Sequence, residues 1–410
     1  MKQRLQILND PRFRLVYGVS QRFSDGPDPH LLRLNRQGFH LMDGIKKKTK
    51  VHPNMLLAVH PSPEKGNLFA PIFGEVSEIN ERSIFVTATQ PFEAPDVAPT
   101  DLLAQGLEGE ALCTALKEMG VNTHSLGLQC ETLIINGLNP NPGVTWAEPM
   151  LATHVRTLEA GLELHRRMTR AKNIVLVVPK GSKVAYDNVT LAYVEPEYPN
   201  SIDGLVIKAV TGKEKPDNVG IVGLHNIWSL GRVARTCFPL TETVMTIGSY
   251  EHWGNYIVKD GSTVGDLLSF ANISLKTGDT VVRGGPLRGE SLDRFDRSVT
   301  KGTYGLFVVE AGTVPPMEGH SPCINCGACV LVCPARLSPS TLSRYAEFAL
   351  HERCRKEHIE SCLDCGLCGY VCIARRPVLQ YIRLSKQKLA EEDARRALVE
   401  INPNPGVEGV

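Results

Sequence analysis

The sequence predicts a multidomain α/β and β protein that ends in an α-helical, cysteine-rich domain. Its 410 residues allow two to four domains, and 42% hydrophobic with 22% charged residues is typical of a folded chain. Short apolar segments with turn residues come first, a strand–helix–strand pattern follows, and nine of the twelve cysteines lie between Cys323 and Cys372. These changes of pattern predict domains over residues 1–96, 97–215, 216–312 and 313–410.

The first predicted domain is a small β-domain. Between residues 57 and 86, single apolar residues recur at short intervals, and Gly66, Pro71 and Gly74 separate them. Such spacing is typical of short strands joined by turns. The lysine run at 46–50 is interpreted as a solvated face, and the amphipathic segment Met1–Asn9 lacks the apolar core of a signal peptide.

The second predicted domain is α/β. The apolar stretches Thr132–Asn136 and Asn173–Pro179 have the length and composition of buried strands, and an amphipathic helical pattern runs from Met150 to Thr169 between them. Strand, helix and strand in this order predict a parallel βαβ unit. In such a sheet, a ligand binds at the carboxyl ends of the strands.

The third predicted domain is β-rich with one helix. Short strands are expected at Thr243–Ile247 and Asn255–Val258, and another before the turn at Gly284. A helix is expected to begin near Val264, with Ser262 or Thr263 as its N-cap. Strands crossed by a single helix are typical of a β-grasp module.

The fourth predicted domain carries the most specific motif of the chain. The stretch 323–334 reads C-x2-C-x2-C-x3-C-P, and 362–372 repeats the cysteine spacing with Ile373 in place of proline. This is the bacterial ferredoxin run, present twice. In that motif three thiolates hold one 4Fe–4S cluster and the fourth cysteine serves the other cluster. We therefore expect Cys323, Cys326, Cys329 and Cys372 to hold one cluster, and Cys362, Cys365, Cys368 and Cys333 to hold the second.

Other uses of the cysteines fit the spacing less well. A zinc site needs two C-x2-C pairs separated by a longer gap, and a covalently attached haem needs C-x-x-C-H, which is absent. Cys354 lies outside both runs and is expected to be structural. The isolated Cys113, Cys130 and Cys237 are interpreted as small buried hydrophobic residues.

Helices are predicted around the cysteine runs. Ser338 and Pro339 are typical of a helix start, and apolar residues from Leu342 to Ala349 continue it. A second helix is expected from about Leu379 to Leu398, and the tail at 402–410 is expected to be disordered.

Charge and hydropathy exclude some classes of protein. Lys and Arg total 45 against 44 Asp and Glu, so general nucleic-acid binding is not expected. The strongest aliphatic run, Ile174–Val178, is far shorter than the roughly 20 residues of a spanning helix. The sequence therefore predicts a chain in the reducing cytoplasm, where clustered cysteines bind metals rather than form disulfides.

At this point the sequence resembles a known family, the C subunits of the Rnf electron-transfer complex. It is also similar to the cobalamin reductase of propanediol microcompartments and to the flavoprotein subunit of respiratory complex I. The resemblance runs from about Gly44 to Lys388. It is carried by both cysteine runs and by the stretches 66–76, 132–137, 282–289, 299–303 and 380–384.

The resemblance implies a layout and partners. Residues 1–96 would form a barrel-sandwich hybrid, 97–215 a Rossmann-like domain, 216–312 a β-grasp module that binds a soluble ligand, and 313–410 a ferredoxin-like helical domain. The chain would be a peripheral subunit on the cytoplasmic face of the cell membrane. Its partners would be the membrane subunits of an Rnf-like complex and a ferredoxin or cytochrome-type protein.

The flavin site of the family does not carry over to this sequence. The family has a glycine-rich loop, GLGGAGFPT, where this chain has Gly106–Cys113, a stretch that contains Glu108 and Glu110. Carboxylates repel the phosphate of FMN. The family's acidic run after the strand is replaced by Leu138–Gly143, which has two prolines and no carboxylate. FMN and NADH are therefore expected to be absent.

Three hypotheses for the function remain open. The chain is an iron–sulfur relay in an Rnf-like complex, an NADH-oxidising flavoprotein of the same complex type, or a scaffold that docks a separate ferredoxin. The sequence shows no clear catalytic acid, base or nucleophile. His40, His52 and His60 lack the spacing of metal ligands and are interpreted as solvated.

Overall fold

The structure is a computed structural model that describes residues 23–124, 126, 129–249, 252–312 and 321–401, without the side chains of 398–401. The chain separates into two compact units. We call the described residues 23–312 the N-terminal unit and 321–401 the cysteine unit. The predictions for Met1–Asn9 and for the tail at 402–410 lie outside the described residues.

The N-terminal unit begins with short strands, as the turn-rich sequence predicts. Antiparallel pairing joins β2, β8, β7 and β4 into one sheet, and β3, β5 and β6 into another. Alternate residues Leu32 and Leu34 of β2 point inward and pair with Val86 and Ile84 of β8, which are also fully buried. The strands are β1 Phe23–Asp25, β2 Leu31–Asn35, β3 His40–Leu41, β4 Lys50–Val51, β5 Leu56–Val59, β6 Leu68–Phe69, β7 Gly74–Ile79 and β8 Ser83–Ala88.

A four-stranded parallel sheet follows, in the order β11–β10–β9–β12. Its two central strands lie where the apolar stretches predicted them, and they are buried on both faces because helices cover the sheet. The elements are α1 Gly109–Glu118, β9 Thr132–Asn136, α2 Ala147–Thr153, α3 Val155–Thr169, β10 Asn173–Pro179, β11 Thr190–Val194, α4 Asp203–Thr211, β12 Val219–Gly223 and α5 Leu224–Thr236.

One predicted helix of this region is two helices. The pattern predicts one helical stretch from Met150 to Thr169, but α2 ends and α3 begins at His154, whose φ of −109° and ψ of 28° are not helical. The hydroxyl of Thr153 donates to the carbonyl of Pro149 at 2.7 Å. Such back-bonding weakens a helix at its last turn. The amphipathic pattern continues across the break and so does not reveal it.

The third predicted domain forms a mixed six-stranded sheet that also includes β1, in the order β1–β14–β13–β17–β15–β16. One helix, α6, follows β14, and its N-cap is Thr263, whose hydroxyl accepts from the backbone N–H of Asp266. The capped helix start is therefore confirmed. The elements are β13 Glu242–Gly248, β14 Trp253–Lys259, α6 Val264–Phe270, β15 Thr280–Arg283, β16 Glu290–Leu292 and β17 Gly305–Val309.

Lys301 forms hydrogen bonds between separate parts of the N-terminal unit. Its ammonium donates to the carbonyl oxygens of Gly120 at 2.8 Å and Asn67 at 3.3 Å. These carbonyls follow α1 and precede β6, so one side chain links the small β-sheets, the parallel sheet and the six-stranded sheet. Burial lowers the pKa of Lys301, and nearby Asp260 opposes that shift.

The cysteine unit is helical. Its core contains Leu342, Ala346, Ile382 and Leu389, which lie on the two longest helices of the unit. Both helices were predicted from their apolar spacing, and Pro339 stands in the first turn of the first of them. The predicted extension of this helix to Ala349 is wrong: it ends at Glu347, and Ala349 has the left-handed φ of 55°. The helices are α7 Ala328–Leu331, α8 Pro339–Glu347, α9 His351–Lys356, α10 Leu367–Tyr370 and α11 Val378–Ile401, with a 3-10 turn at Ile359–Ser361.

None of the helices in the described ranges combines the length and the apolar composition needed to cross a membrane.

Candidate metal centre

The eight cysteines of the two ferredoxin-type runs surround two cavities in the cysteine unit. The first cavity is lined by Cys323, Cys326, Cys329 and Cys372. The second cavity is lined by Cys333, Cys362, Cys365 and Cys368. Each run therefore contributes three thiols to one cavity and its last thiol to the other. The structure brings together the same two sets of four that the spacing predicts.

The backbone of the two runs has the same conformation. Asn325 and Gly327 in the first run have φ of 53° and 74°, and Asp364 and Gly366 in the second have φ of 50° and 80°. Two left-handed residues in so short a stretch curl the chain around a point, and glycine adopts this conformation without steric strain. The first three thiols of each run therefore face one cavity.

A single helical turn then carries the fourth cysteine away from its own run. The turn is α7 in the first run and α10 in the second, and each begins directly after the left-handed glycine. Cys333 and Cys372 follow these turns and line the opposite cavity. The exchange is thus a consequence of the C-x3-C spacing, which is one helical turn.

The second cavity is the more deeply buried of the two. Cys365 and Cys368 are buried, whereas Cys326 of the first cavity is exposed. Burial raises the pKa of the Cys365 thiol to about 11 and also raises the pKa of Cys368. Burial is also the main cause of the raised pKa of Cys329 in the first cavity, where hydrogen bonds from Ser340 oppose it.

A buried arginine lies beside the first cavity. Arg376 lines this cavity and is only 3% exposed. Its guanidinium donates to the carbonyl of Ser321 and to Oε2 of Glu347, both at 2.6 Å. Its backbone N–H donates to Sγ of Cys372 at 3.4 Å. The sequence reasoning missed this residue, although its position after the second run is a signal that could have been used.

The second run has a lysine beside it instead. The ammonium of Lys386 donates to the carbonyl of Cys362 at 2.7 Å and to Oδ2 of Asp364 at 3.0 Å. Asp364 also accepts a long contact of 3.8 Å from the thiol of Cys362. In the first run the equivalent contact of Cys323 is made to the amide oxygen of Asn325, at 3.8 Å.

The donor set suits a cluster better than a single ion. Four thiols line each cavity, and soft thiolates favour iron–sulfur clusters, zinc and copper(I). In the part of the chain that the structure describes, no three His, Cys, Asp or Glu side chains converge closely enough for one metal ion. Four thiols line each cavity at the spacing of the two-cluster ferredoxin run, so the residues present fit a 4Fe–4S group.

The other cysteines and the histidines lie apart from this centre. Cys354 is fully buried in the helical core, where its thiol contacts the carbonyl of Leu342 at 3.6 Å. Cys113, Cys130 and Cys237 are partly rather than fully buried, and Cys113 and Cys130 pack against the core of the N-terminal unit as small hydrophobic residues.

The expectation of solvated histidines is wrong for His60. It is 8% exposed, and its Nδ1 accepts from the N–H of Ser62 at 3.0 Å. Burial, with lesser help from Lys65 and Lys117, lowers its pKa.

The carboxyl edge of the parallel sheet is the second candidate region. The loop after β9 is packed against the six-stranded sheet: Nδ2 of Asn141 donates to the hydroxyl of Tyr304 at 3.1 Å, and Nε1 of Trp253 donates to the carbonyl of Gly143 at 2.8 Å. Asn139 and Asn141 are fully buried. A Cβ on Gly285 would lie 2.2 Å from Cγ of Asn141, which explains why the Gly284–Pro286 turn needs glycine there.

The stretch that replaces the family's glycine-rich loop leads into a helix. Glu108 is the N-cap of α1 but makes no capping bond with its side chain, and Glu110 lies in the first turn. Both side chains are exposed. Carboxylates complement the positive end of a helix dipole, so they occupy the place where an anion would otherwise be attracted.

Comparison with known proteins confirms the resemblance found in the sequence, although no family model matches this chain. The C subunit of the ion-translocating oxidoreductase complex of Edwardsiella ictaluri is 30% identical over 71% of this chain and 39% of its own length. Its namesakes in Pectobacterium carotovorum and Yersinia pestis are 30% identical over 71% of this chain, and over 41% and 50% of their own lengths. The chain is thus similar to these proteins over most of its length but spans only about two fifths to half of theirs.

Among solved structures, an NAD+-reducing [NiFe]-hydrogenase in the H2-reduced state aligns with 70% of this chain and 65% of its own. The TM-score is 0.43 and the sequence identity 14%.

Proposed function

We propose that this chain is an electron-transfer subunit that relays electrons through two 4Fe–4S clusters within an Rnf-like, ion-translocating redox complex. One observation carries the proposal: the eight cysteines divide into two four-thiol cavities, and each run supplies the fourth thiol of the other. This exchange is the ligand pattern of two-cluster ferredoxins. In this proposal Cys323, Cys326, Cys329 and Cys372 hold the first cluster, and Cys333, Cys362, Cys365 and Cys368 hold the second.

The residues of the cysteine unit have two tasks in this proposal. A bound cluster would supply reversible one-electron chemistry. The protein holds it by thiolates on rigid, short turns and excludes water with apolar side chains such as Leu342 and Leu379, which line the second cavity. Backbone N–H groups near the thiols, such as that of Arg376, donate hydrogen bonds to sulfur and so tune the potential.

The proposed partners follow from the relatives. Their names place them in a multi-subunit ion-translocating complex, which supports membrane subunits of such a complex as partners of this chain. We place it as a peripheral subunit on the cytoplasmic face of the membrane. Its electrons are exchanged with a ferredoxin or cytochrome-type protein, and nucleic acid is not a partner.

We further propose that FMN and NADH are not cofactors of this chain. Two features support this. Exposed Glu108 and Glu110 stand at the start of α1, where they would repel phosphate, and the loop after β9 is packed by its own asparagine and threonine side chains. The chain therefore exchanges its electrons with a protein partner.

The test is anaerobic reduction of the purified full chain, followed by absorbance near 400 nm and by EPR. Dithionite is expected to bleach the iron–sulfur absorbance and produce the signals of two reduced clusters. NADH at the same concentration is expected to leave both unchanged. Bleaching by NADH, with flavin bound, would show that the flavoprotein alternative is correct.

The scaffold alternative is tested in the complex. Replacement of Cys326 and Cys365 by alanine is expected to stop electron flow through the complex, with replacement of the half-buried Cys237 as the control. Normal electron flow in the doubly substituted chain would support a docking scaffold and contradict the relay.

A further inference from the structure

The two halves of the cysteine unit are repeats of one another. Each residue of the first half has an equivalent 39 residues later: Cys323 corresponds to Cys362, and the first residue of α8, Pro339, corresponds to Val378, the first residue of α11. The left-handed positions also correspond, since Arg336 and Arg375 have φ of 57° and 53°. A comparison of equivalent positions therefore shows where the environments of the two cavities differ.

Two differences lie on the helices that follow the runs. Ser340 and Ser343 of α8 line the first cavity, and their equivalents Leu379 and Ile382 of α11 line the second. Ser340 and Cys329 line the first cavity together. The first cavity is therefore bordered by two serines where the second is bordered by leucine and isoleucine.

The third difference is a charge. Arg376 lines the first cavity, and its equivalent Leu337 lines the second. Glu347 pairs with this guanidinium at 2.6 Å and offsets its charge in part, but Glu347 itself does not line the cavity. The guanidinium is buried, so its field is weakly screened by water.

The fourth difference has the opposite sign. Asn325 contacts the thiol of Cys323 in the first run, and its equivalent Asp364 contacts the thiol of Cys362 in the second. Lys386 pairs with Asp364 and offsets its charge in part, but neither side chain lines the second cavity. Both side chains are partly exposed, 27% for Lys386 and 30% for Asp364, so solvent weakens the effect of each charge.

All four differences act in the same direction. A cluster held by four thiolates is negatively charged and becomes more negative when it is reduced. Hydrogen bonds to sulfur, polar surroundings and positive charge stabilise the reduced form and raise the potential. Dry, apolar walls and a nearby carboxylate lower it. The exposure of Cys326 also favours a higher potential for the first cluster.

We infer that the first cluster has the higher reduction potential, and that Arg376 and Asp364 are the main residues that set the difference. The inference rests on the proposed function, because it requires that both clusters bind. At equilibrium a single electron then resides on the first cluster. When an electron moves from the second cluster to the first, one is oxidised and the other reduced by one electron, with no proton or further reactant involved.

The test is an EPR-monitored redox titration of the full chain with both clusters. Two midpoint potentials are expected in the native protein. Replacement of Cys365 by alanine is expected to remove the signal with the lower potential, and replacement of Cys326 the signal with the higher potential. The reverse assignment would overturn the inference, as would two equal potentials.

Two further variants test the named residues. Arg376→Leu is expected to lower the potential of the first cluster and leave that of the second unchanged. Asp364→Asn is expected to raise the potential of the second cluster and leave that of the first unchanged. In both variants the difference between the two potentials becomes smaller. Arg375→Leu, which removes an exposed arginine one residue away, is the matched control and is expected to change neither. Ser340→Ala leaves the buried ion pair intact and is expected to shift the higher potential downward by a smaller amount.

The outcomes separate the inference from the proposed function. If both clusters bind but neither Arg376→Leu nor Asp364→Asn changes a midpoint potential, the inference is overturned and the proposed electron-transfer function still holds. If the native chain binds no cluster, both fail. If Arg376→Leu does not retain its clusters, the inference is tested by Asp364→Asn and Ser340→Ala. It is overturned if neither variant changes the difference between the two midpoint potentials.

Discussion

The cavities of the cysteine unit and the carboxyl edge of the parallel sheet are both regions where a bound group is expected, but they are built differently. Each cavity presents four thiols that are not joined in disulfides. At the sheet edge, the loop after β9 is occupied by its own side chains: the hydroxyl of Thr145 donates to Asn255 at 3.0 Å, and the amide of Asn139 accepts from the N–H of Ala147 at 3.0 Å.

The difference shows how a binding region can be told from a packed one. A site that takes up an external group keeps donors of one chemical type directed at a common space. A packed loop directs most of its polar groups at protein partners, although in this one Nδ2 of Asn139 and Oδ1 of Asn141 are buried without such a partner among the described residues.

The largest effect is expected from loss of a single thiol in the cysteine unit. Replacement of Cys368 by alanine removes one of four donors from the second cavity and should abolish that cluster, so the iron content falls from about eight to about four per chain. Iron analysis after anaerobic purification measures this. Replacement of Cys237, which lies outside both cavities, should leave the iron content unchanged. Full iron content in the Cys368 variant would contradict the assignment.

The stability of the domain around the parallel sheet should be sensitive to added side-chain volume where its helices touch. Helices α3 and α5 touch at Gly231, where a Cβ would lie 1.8 Å from the carbonyl oxygen of Thr157. Gly231→Ala should therefore lower the free energy of unfolding by about 3 kcal/mol, the upper part of the usual range for overpacking. Urea unfolding followed by tryptophan fluorescence reports this unit alone, because all three tryptophans of the chain lie in it.

Gly302→Ala is the control for that measurement, since a Cβ there would have no neighbour within 4 Å. It should leave the unfolding midpoint nearly unchanged. Equal destabilisation by both substitutions would show that the close helix contact is not what limits the size of residue 231.

A smaller, pH-dependent effect is expected at His165, a histidine of α3 that is 1% exposed. Burial lowers its pKa from 6.5 to about 4. Below pH 6.5 the unfolded chain takes up a proton that the folded chain does not, so stability falls as the pH drops from 6.5 towards 4. The loss attributable to this residue reaches at most about 3 kcal/mol.

His165→Leu should weaken this acid sensitivity of the tryptophan-reported unfolding. His30→Gln, at an exposed position of the small β-domain, should not. An unchanged pH profile in His165→Leu would mean that other groups dominate the acid unfolding of the N-terminal unit.

Sequence reasoning located the thiols because their arrangement is local. The C-x2-C-x2-C turn and the one-turn helix after it are set by nearby residues, so the exchange of Cys333 and Cys372 between cavities follows from spacing alone. The strands Thr132–Asn136 and Asn173–Pro179 were predictable for the same reason, since continuous apolar runs define buried strands.

Features that depend on distant contacts were not predicted. His60, for example, is buried because Phe39 packs against it, with ring centroids 4.8 Å apart. The place of Arg376 beside the first cavity depends on Glu347, which belongs to the other repeat. Contacts of this kind are determined by tertiary packing and cannot be predicted from the neighbouring residues in the sequence.

The most direct test of the account is the cofactor content of the full chain purified without oxygen. Iron, acid-labile sulfide, zinc and flavin are measured on the same sample. The account predicts about eight irons and about eight sulfides per chain, as two cubane clusters require, with neither zinc nor flavin. Zinc in place of iron, or flavin close to one per chain, would contradict it.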